Sequence, residues 1–161
     1  MSDFCKSGVK VNRPQVRTQE IGHALDRVLR YPFDGIEGVF RPERIETAVQ
    51  RVADAVKMSN RAVLAAQLTN LSAECLYQIL MVSGATVRTM TAILNLRMFS
   101  TLQKKGYGAF ASSHEILGVL VEEEAEFEEA FSESVDRVVD ELYDIAVVAI
   151  FGFASISYLD W

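Results

Sequence analysis

Residues 112–158, SSHEILGVLVEEEAEFEEAFSESVDRVVDELYDIAVVAIFGFASISY, decide how this chain folds. Ser112-Ser-His-Glu115 has the S-x-x-E form of a capping box, which satisfies free N–H groups at a helix start. Behind it Ile116, Leu117 and Leu120 recur at helical spacing. Ser132-Glu133-Ser134 reads as a turn. A second helix begins after Ser132 or Ser134 and runs to about Tyr158, with Val135, Val138, Val139, Leu142 and Ile145 packing on the first. Two antiparallel helices joined by a short turn are therefore expected.

The hairpin carries two acidic pairs, Glu123-x-x-Glu126 and Glu141-x-x-Asp144, separated by 14 residues. Positions three apart share a helix face. Folded about the turn, Glu126 faces Glu141 and Glu123 faces Asp144. Two carboxylates about 4 Å apart repel by roughly 4 kcal/mol at an effective dielectric of about 20. Hard oxygen ligands so gathered suit Mg²⁺ or Mn²⁺. The residues also fit a second reading. Seven glutamates lie between positions 115 and 129, and a glutamate-rich helix face is commonly just solvated. Against that, Glu141 and Asp144 sit on an otherwise strongly apolar helix.

Outward from the hairpin, charge is sorted along the chain. Residues 1–105 hold 15 Lys+Arg against 9 Asp+Glu, a net of +6. Residues 106–161 hold Arg137 against 13 acids, a net of −12. Two functional parts are implied, with Gly106-Tyr-Gly108 as their boundary. Residues 1–17 read as a mobile segment, 18–103 as a basic helical region and 104–161 as the acidic hairpin. Within the basic region, Thr18 to Arg30 has an amphipathic pattern of Ile21, Leu25, Val28 and Leu29. Tyr31 to Gly38 is a loop punctuated by Pro32, Gly35 and Gly38. Pro42 suits the first turn of a helix carrying Ile45, Val49, Val52 and Val56. Further helices are expected over 60–69, 72–81 and 86–103. No strand pattern appears, so the fold class is all-α.

Cys5 and Cys75 have neither zinc-site spacing nor disulfide density, so a reducing, cytoplasmic location is expected. The longest apolar run, Ile145 to Leu159, has 15 residues and falls below the roughly 18 that a membrane span requires. A buried helix is expected there, with no membrane partner.

The stretch Lys105-Gly-Tyr-Gly, HEILGVLVEEEAEFEEAF and DELYDIAVVAIFG resembles the MazG-like all-α nucleoside triphosphate pyrophosphohydrolases. That family carries an E-E-x-x-E helix, a turn and an E-x-x-D helix, matched here by Glu122, Glu123 and Glu126, then Glu141 and Asp144. The resemblance covers residues 104–156. It implies a Mg²⁺-dependent enzyme that cleaves a nucleotide between its α- and β-phosphates, and a homodimer or homotetramer of helical bundles. Glu123, Glu126, Glu141 and Asp144 would be the metal ligands. Glu122 or Glu123 would serve catalysis. Lys105, Tyr107 and His114 are candidates for substrate contact. The family fold needs about four helices, so two more must come from residues 60–103 or from another subunit.

Residues 45–100 are similar to lambda-repressor-like helix-turn-helix domains, through Leu64-Ala-Ala-Gln-Leu, Leu71-Ser-Ala-Glu-Cys-Leu and Gly84-Ala-Thr-Val-Arg. This resemblance places a turn at Thr69-Asn70. It directs Ser72, Ala73, Glu74 and Gln78 to a major groove, with Arg61, Arg88 and Arg97 toward phosphates. The alternative is that these are packing helices of one bundle. Glu43-Arg-Ile-Glu46 is a further acidic pair with no partner pair in view, read as a solvated face. Three functions follow: a nucleotide pyrophosphohydrolase, a DNA-binding regulator with a dimerising or nucleotide-sensing hairpin, and a protein that sequesters nucleotides without turnover.

Overall fold

Short polar side chains set most helix starts in the computed structural model, which describes residues 13–33 and 38–160. Within these there are six α-helices: α1 (Thr18–Leu29), α2 (Glu43–Met58), α3 (Arg61–Ser83), α4 (Val87–Lys105), α5 (Ser113–Ala130) and α6 (Val135–Ser155). A 3₁₀ turn, Ile156–Tyr158, follows α6. Asn60, Thr86, Ser112 and Ser134 each accept a hydrogen bond from a backbone N–H three residues on. Gly84, at φ 67°, ends α3 in the left-handed conformation that glycine adopts without strain. The protein is all-α, and β pairing among the described residues is confined to two isolated bridges.

α6 is the central rod. It packs most extensively on α3, then on α5 and α1, while α2 lies against both α3 and α5. Helices α2, α3, α6 and α5 thus close a ring of four. α1 covers one side and α4 touches α6 and α3 more lightly. One hydrophobic cluster runs through all six helices, so the two charge-sorted parts share a core. Leu64, Leu68, Leu71, Leu142 and Ile145 are among its fully buried members. Each such side chain contributes about 1.5–3 kcal/mol by leaving water. Gly152 lets α6 approach its neighbours closely, since a Cβ there would lie 3.2 Å from Ile116 Cγ2 and 3.5 Å from Leu68 Cδ1.

The hairpin follows expectation: Ser112 caps α5, residues 131–133 turn, and Ser134 caps α6. Three features differ. Residues 60–69 and 72–81 are not two helices but parts of one, α3, with no turn at Thr69-Asn70. Polar side chains that read as turn formers are satisfied within it. Thr69 Oγ1 donates to Ala65 O at 2.9 Å and Ser72 Oγ to Leu68 O at 2.8 Å. The bundle's other pair of helices is α2 and α3, so one of them lies outside residues 60–103.

Third, Arg13–Arg17 are held rather than mobile. Val16 is buried and donates to Tyr107 O at 2.8 Å, and Ala109 N donates to Pro14 O at 2.8 Å. The rest of the expected mobile segment, residues 1–12, lies outside the described residues, as do 34–37 of the loop after α1. Ile145 to Leu159 is largely covered by the chain itself. No helix among the described residues is long and apolar enough to cross a membrane.

Candidate metal centre

Heptad-like apolar positions turn one face of α5 and one of α6 toward each other, and the acidic residues share those faces. Glu123 is fully buried, Glu141 is 2 % exposed and Glu126 is half-buried. Each offers a carboxylate oxygen within 4.8 Å of the others. The protein thus contains a buried glutamate trio that could hold a metal ion.

Glu141 shows the strain of this arrangement. Its Oε1 accepts from Arg137 Nη2 at 2.9 Å, one turn earlier on α6. Its Oε2 is buried and has no hydrogen-bond partner among the described residues. Burial, and then the charges of Asp144 and Glu126, push its carboxyl up to about 7, with Arg137 opposing. A buried carboxylate oxygen without a donor is costly. A divalent cation between the three side chains would relieve both the desolvation and the repulsion. An all-oxygen donor set fits Mg²⁺ or Mn²⁺.

Asp144 lies at the edge of this group. It is half-buried, and burial pushes it up to about 6, against the nearby Arg97 and with Glu126 and Asp140 adding. The carboxylates that come together are Glu123, Glu126 and Glu141, so Glu126 meets Glu141 as expected. The Asp144 side chain is one methylene shorter and stands outside this trio. Glu122 is exposed on α5, outside the trio.

No family model, curated protein or solved structure matches this chain.

Lys105, Tyr107 and His114 are not brought to the trio. Lys105 ends α4, and the Tyr107 carbonyl is tied to Val16 in the following loop. His114 is exposed in the first turn of α5. From His114 to Glu123 is nine residues, about 14 Å along the helix. That loop also meets the far end of α6, where Phe110 N donates to Ser155 Oγ.

The residues assigned to a DNA groove are split. Ser72 and Gln78 are fully buried, so neither can read bases. Gln78 bridges elements instead, accepting from Arg41 N at 2.7 Å and donating to Glu74 at 2.9 Å. Arg61 and Arg88 are exposed, at opposite ends of the α3–α4 hairpin. With one continuous α3, the helix-turn-helix geometry is absent from the described residues.

Arg97, expected toward the phosphates of nucleic acid, stands beside the acidic site. Its Nη2 lies 2.5 Å from Asp140 Oδ1, and its Cζ is 4.8 Å from the centre of the Tyr143 ring. No local spacing joins residue 97 to residue 140, so only the tertiary fold reveals the pairing. Glu43 and Glu46 are exposed as expected, but they do have acidic neighbours. With Glu124, Phe127, Glu128 and Phe131 they line a cavity of about 240 Å³ between α2 and α5. Burial, then Glu128 and Glu46, push Glu124 up to about 7.

Proposed function

We propose that the protein is a Mg²⁺-dependent nucleoside triphosphate pyrophosphohydrolase, releasing a nucleoside monophosphate and pyrophosphate. The observation that carries this reading is the glutamate trio, in which the buried Oε2 of Glu141 accepts from no donor among the described residues and would be satisfied by a cation. The order Glu122-Glu123-x-x-Glu126, turn, Glu141-x-x-Asp144, and its resemblance to MazG-like enzymes, give the reaction class. The ring of four helices, complete within one chain, supports the same reading.

Glu123, Glu126 and Glu141 would hold the ion, with Asp144 beside them as a fourth ligand or as an acceptor for coordinated solvent. When bound, the ion supplies electrophilic activation and charge neutralisation for a polyphosphate. The protein's own part is to orient and to accept a proton. Water adds to the α-phosphorus while the bond from that phosphorus to the α,β-bridging oxygen breaks. The oxygen leaves with pyrophosphate. The water proton passes to a carboxylate, and Glu122, exposed next to the trio on α5, is suited to exchange it with solvent.

The test is pyrophosphate release from purified protein across ribo- and deoxynucleoside triphosphates, with and without Mg²⁺. Glu126→Gln and Asp144→Asn should abolish Mg²⁺-dependent release while circular dichroism stays unchanged. Full turnover in those variants would remove the assignment. Tight nucleotide binding without pyrophosphate would make the protein a sequestering one instead.

A further inference from the structure

We propose that Arg97 binds the phosphate chain of the substrate at the hairpin site. This rests on the hydrolase reading and adds a residue that the acidic motif does not contain. The argument begins with charge. Glu123, Glu126, Glu141 and Asp144, when ionised, carry four negative charges, and a divalent ion offsets two of them. A polyphosphate entering that field needs further positive charge close by.

Two guanidinium groups border the site. Arg137 is committed, with Nε 2.8 Å from Glu133 Oε2 and Nη2 2.9 Å from Glu141 Oε1. Arg97 is not. Of its five N–H donors, the described residues engage one, in the contact of Nη2 with Asp140. Its side chain remains 35 % exposed. The guanidinium lies over the Tyr143 ring, whose residue is 1 % exposed, so the head is held from below and its remaining edge is open. Asp140 and Tyr143 flank Glu141 and Asp144 on α6. A planar fork fixed on an aromatic face beside a cation site is suited to bidentate capture of phosphate.

α4 holds Arg97 there through Met90, Leu94, Met98 and Leu102, all fully buried. These recur every four residues on the helix, and Arg97 precedes Met98 at the edge of that stripe. Asp140 acts as a resting partner that the substrate displaces.

The test uses whole protein with Arg97→Gln, Arg97→Lys and Asp140→Asn. Mn²⁺ affinity is read by electron paramagnetic resonance, and inorganic pyrophosphate binding by calorimetry in saturating Mg²⁺. Arg97→Gln should bind Mn²⁺ within about twofold of wild type and pyrophosphate at least about tenfold more weakly. Arg97→Lys should fall between. Asp140→Asn frees Arg97 and should bind pyrophosphate as tightly as wild type or more so. Where a triphosphate is hydrolysed, Arg97→Gln should raise KM more than it lowers kcat.

Wild-type pyrophosphate affinity in Arg97→Gln overturns the inference and leaves the hydrolase reading intact. Equal losses in Arg97→Gln and Asp140→Asn also overturn it, because the ion pair would then be only structural. A wild-type protein that binds no Mn²⁺ sinks the hydrolase reading and this inference together.

Discussion

Arg137 and Glu141 form an ion pair one turn apart on α6, with Nη2 2.9 Å from Oε1, yet only half of the carboxylate is served. The other oxygen stays buried against the acidic side chains of α5. Arg137 therefore acts as a partial counter-charge for the metal-free trio. Because its side chain is about half exposed, solvent screens the pair, and the contribution is modest. Arg137→Gln should lower the Tm of metal-free protein by roughly 1–4 °C. Mg²⁺ should restore most of that loss. An identical loss with and without Mg²⁺ would show that Arg137 does not compensate the trio.

Acidity follows the same logic. Glu141 and Glu124 are pushed up to about 7 and Asp144 to about 6, in each case chiefly by burial. A carboxyl whose pKa is higher in the folded than in the unfolded chain is more readily protonated when folded. Its stabilising share is complete below about pH 4 and is lost as pH rises through about 7. Metal-free protein should thus melt at a lower temperature at pH 8 than at pH 5.5, and saturating Mg²⁺ should narrow the gap at pH 8. Thermal melts at the two pH values decide this, and a metal-free Tm that rises with pH would contradict it.

Continuity of α3 can be tested by backbone chemistry alone. Asn70 is exposed, so little packing is at stake there. Proline inside a helix removes a hydrogen bond and costs about 3 kcal/mol or more, whereas a turn tolerates it. Asn70→Pro should therefore lower unfolding free energy in urea by about 3 kcal/mol. The Tyr31 hydroxyl, which donates to Asn70 Oδ1 at 2.6 Å, adds to the loss. A near-neutral result would restore a turn at Thr69-Asn70.

Gly152 is the close-approach point of α6. A Cβ at 3.2 Å from Ile116 Cγ2 forces a buried side chain to shift, and valine adds two methyl groups. Overpacking of this kind costs about 1–3 kcal/mol. Gly152→Val should lower the urea midpoint accordingly with an unchanged m-value, while Gly118→Ala, in open space on α5, should not destabilise.

Much of the hairpin was legible because its signals are local. Ser112 and Ser134 announce helix starts, the 131–133 turn follows from its serines, and the apolar frame of α6 marks Glu141 as buried. The continuity of α3 is not legible in the sequence, because Thr69, Asn70 and Ser72 suit a turn as readily as a helix interior. Only the carbonyls of Ala65 and Leu68, which accept two of those side chains, resolve the ambiguity. That α2 completes the ring, and that Arg97 reaches Asp140 across 43 positions, are long-range outcomes of packing. No periodicity within either segment encodes them.

The loop after α4 has a practical consequence. It bonds Pro14 and Val16 through Ala109 and Tyr107, and Asp160 through Ala111, so both described ends of the chain are fastened to one pole of the bundle. Glu141 lies fourteen residues along α6 from Ser155, about 21 Å toward the opposite pole. A fluorophore placed at Pro14 or Asp160 would therefore stand at the pole away from the acidic site.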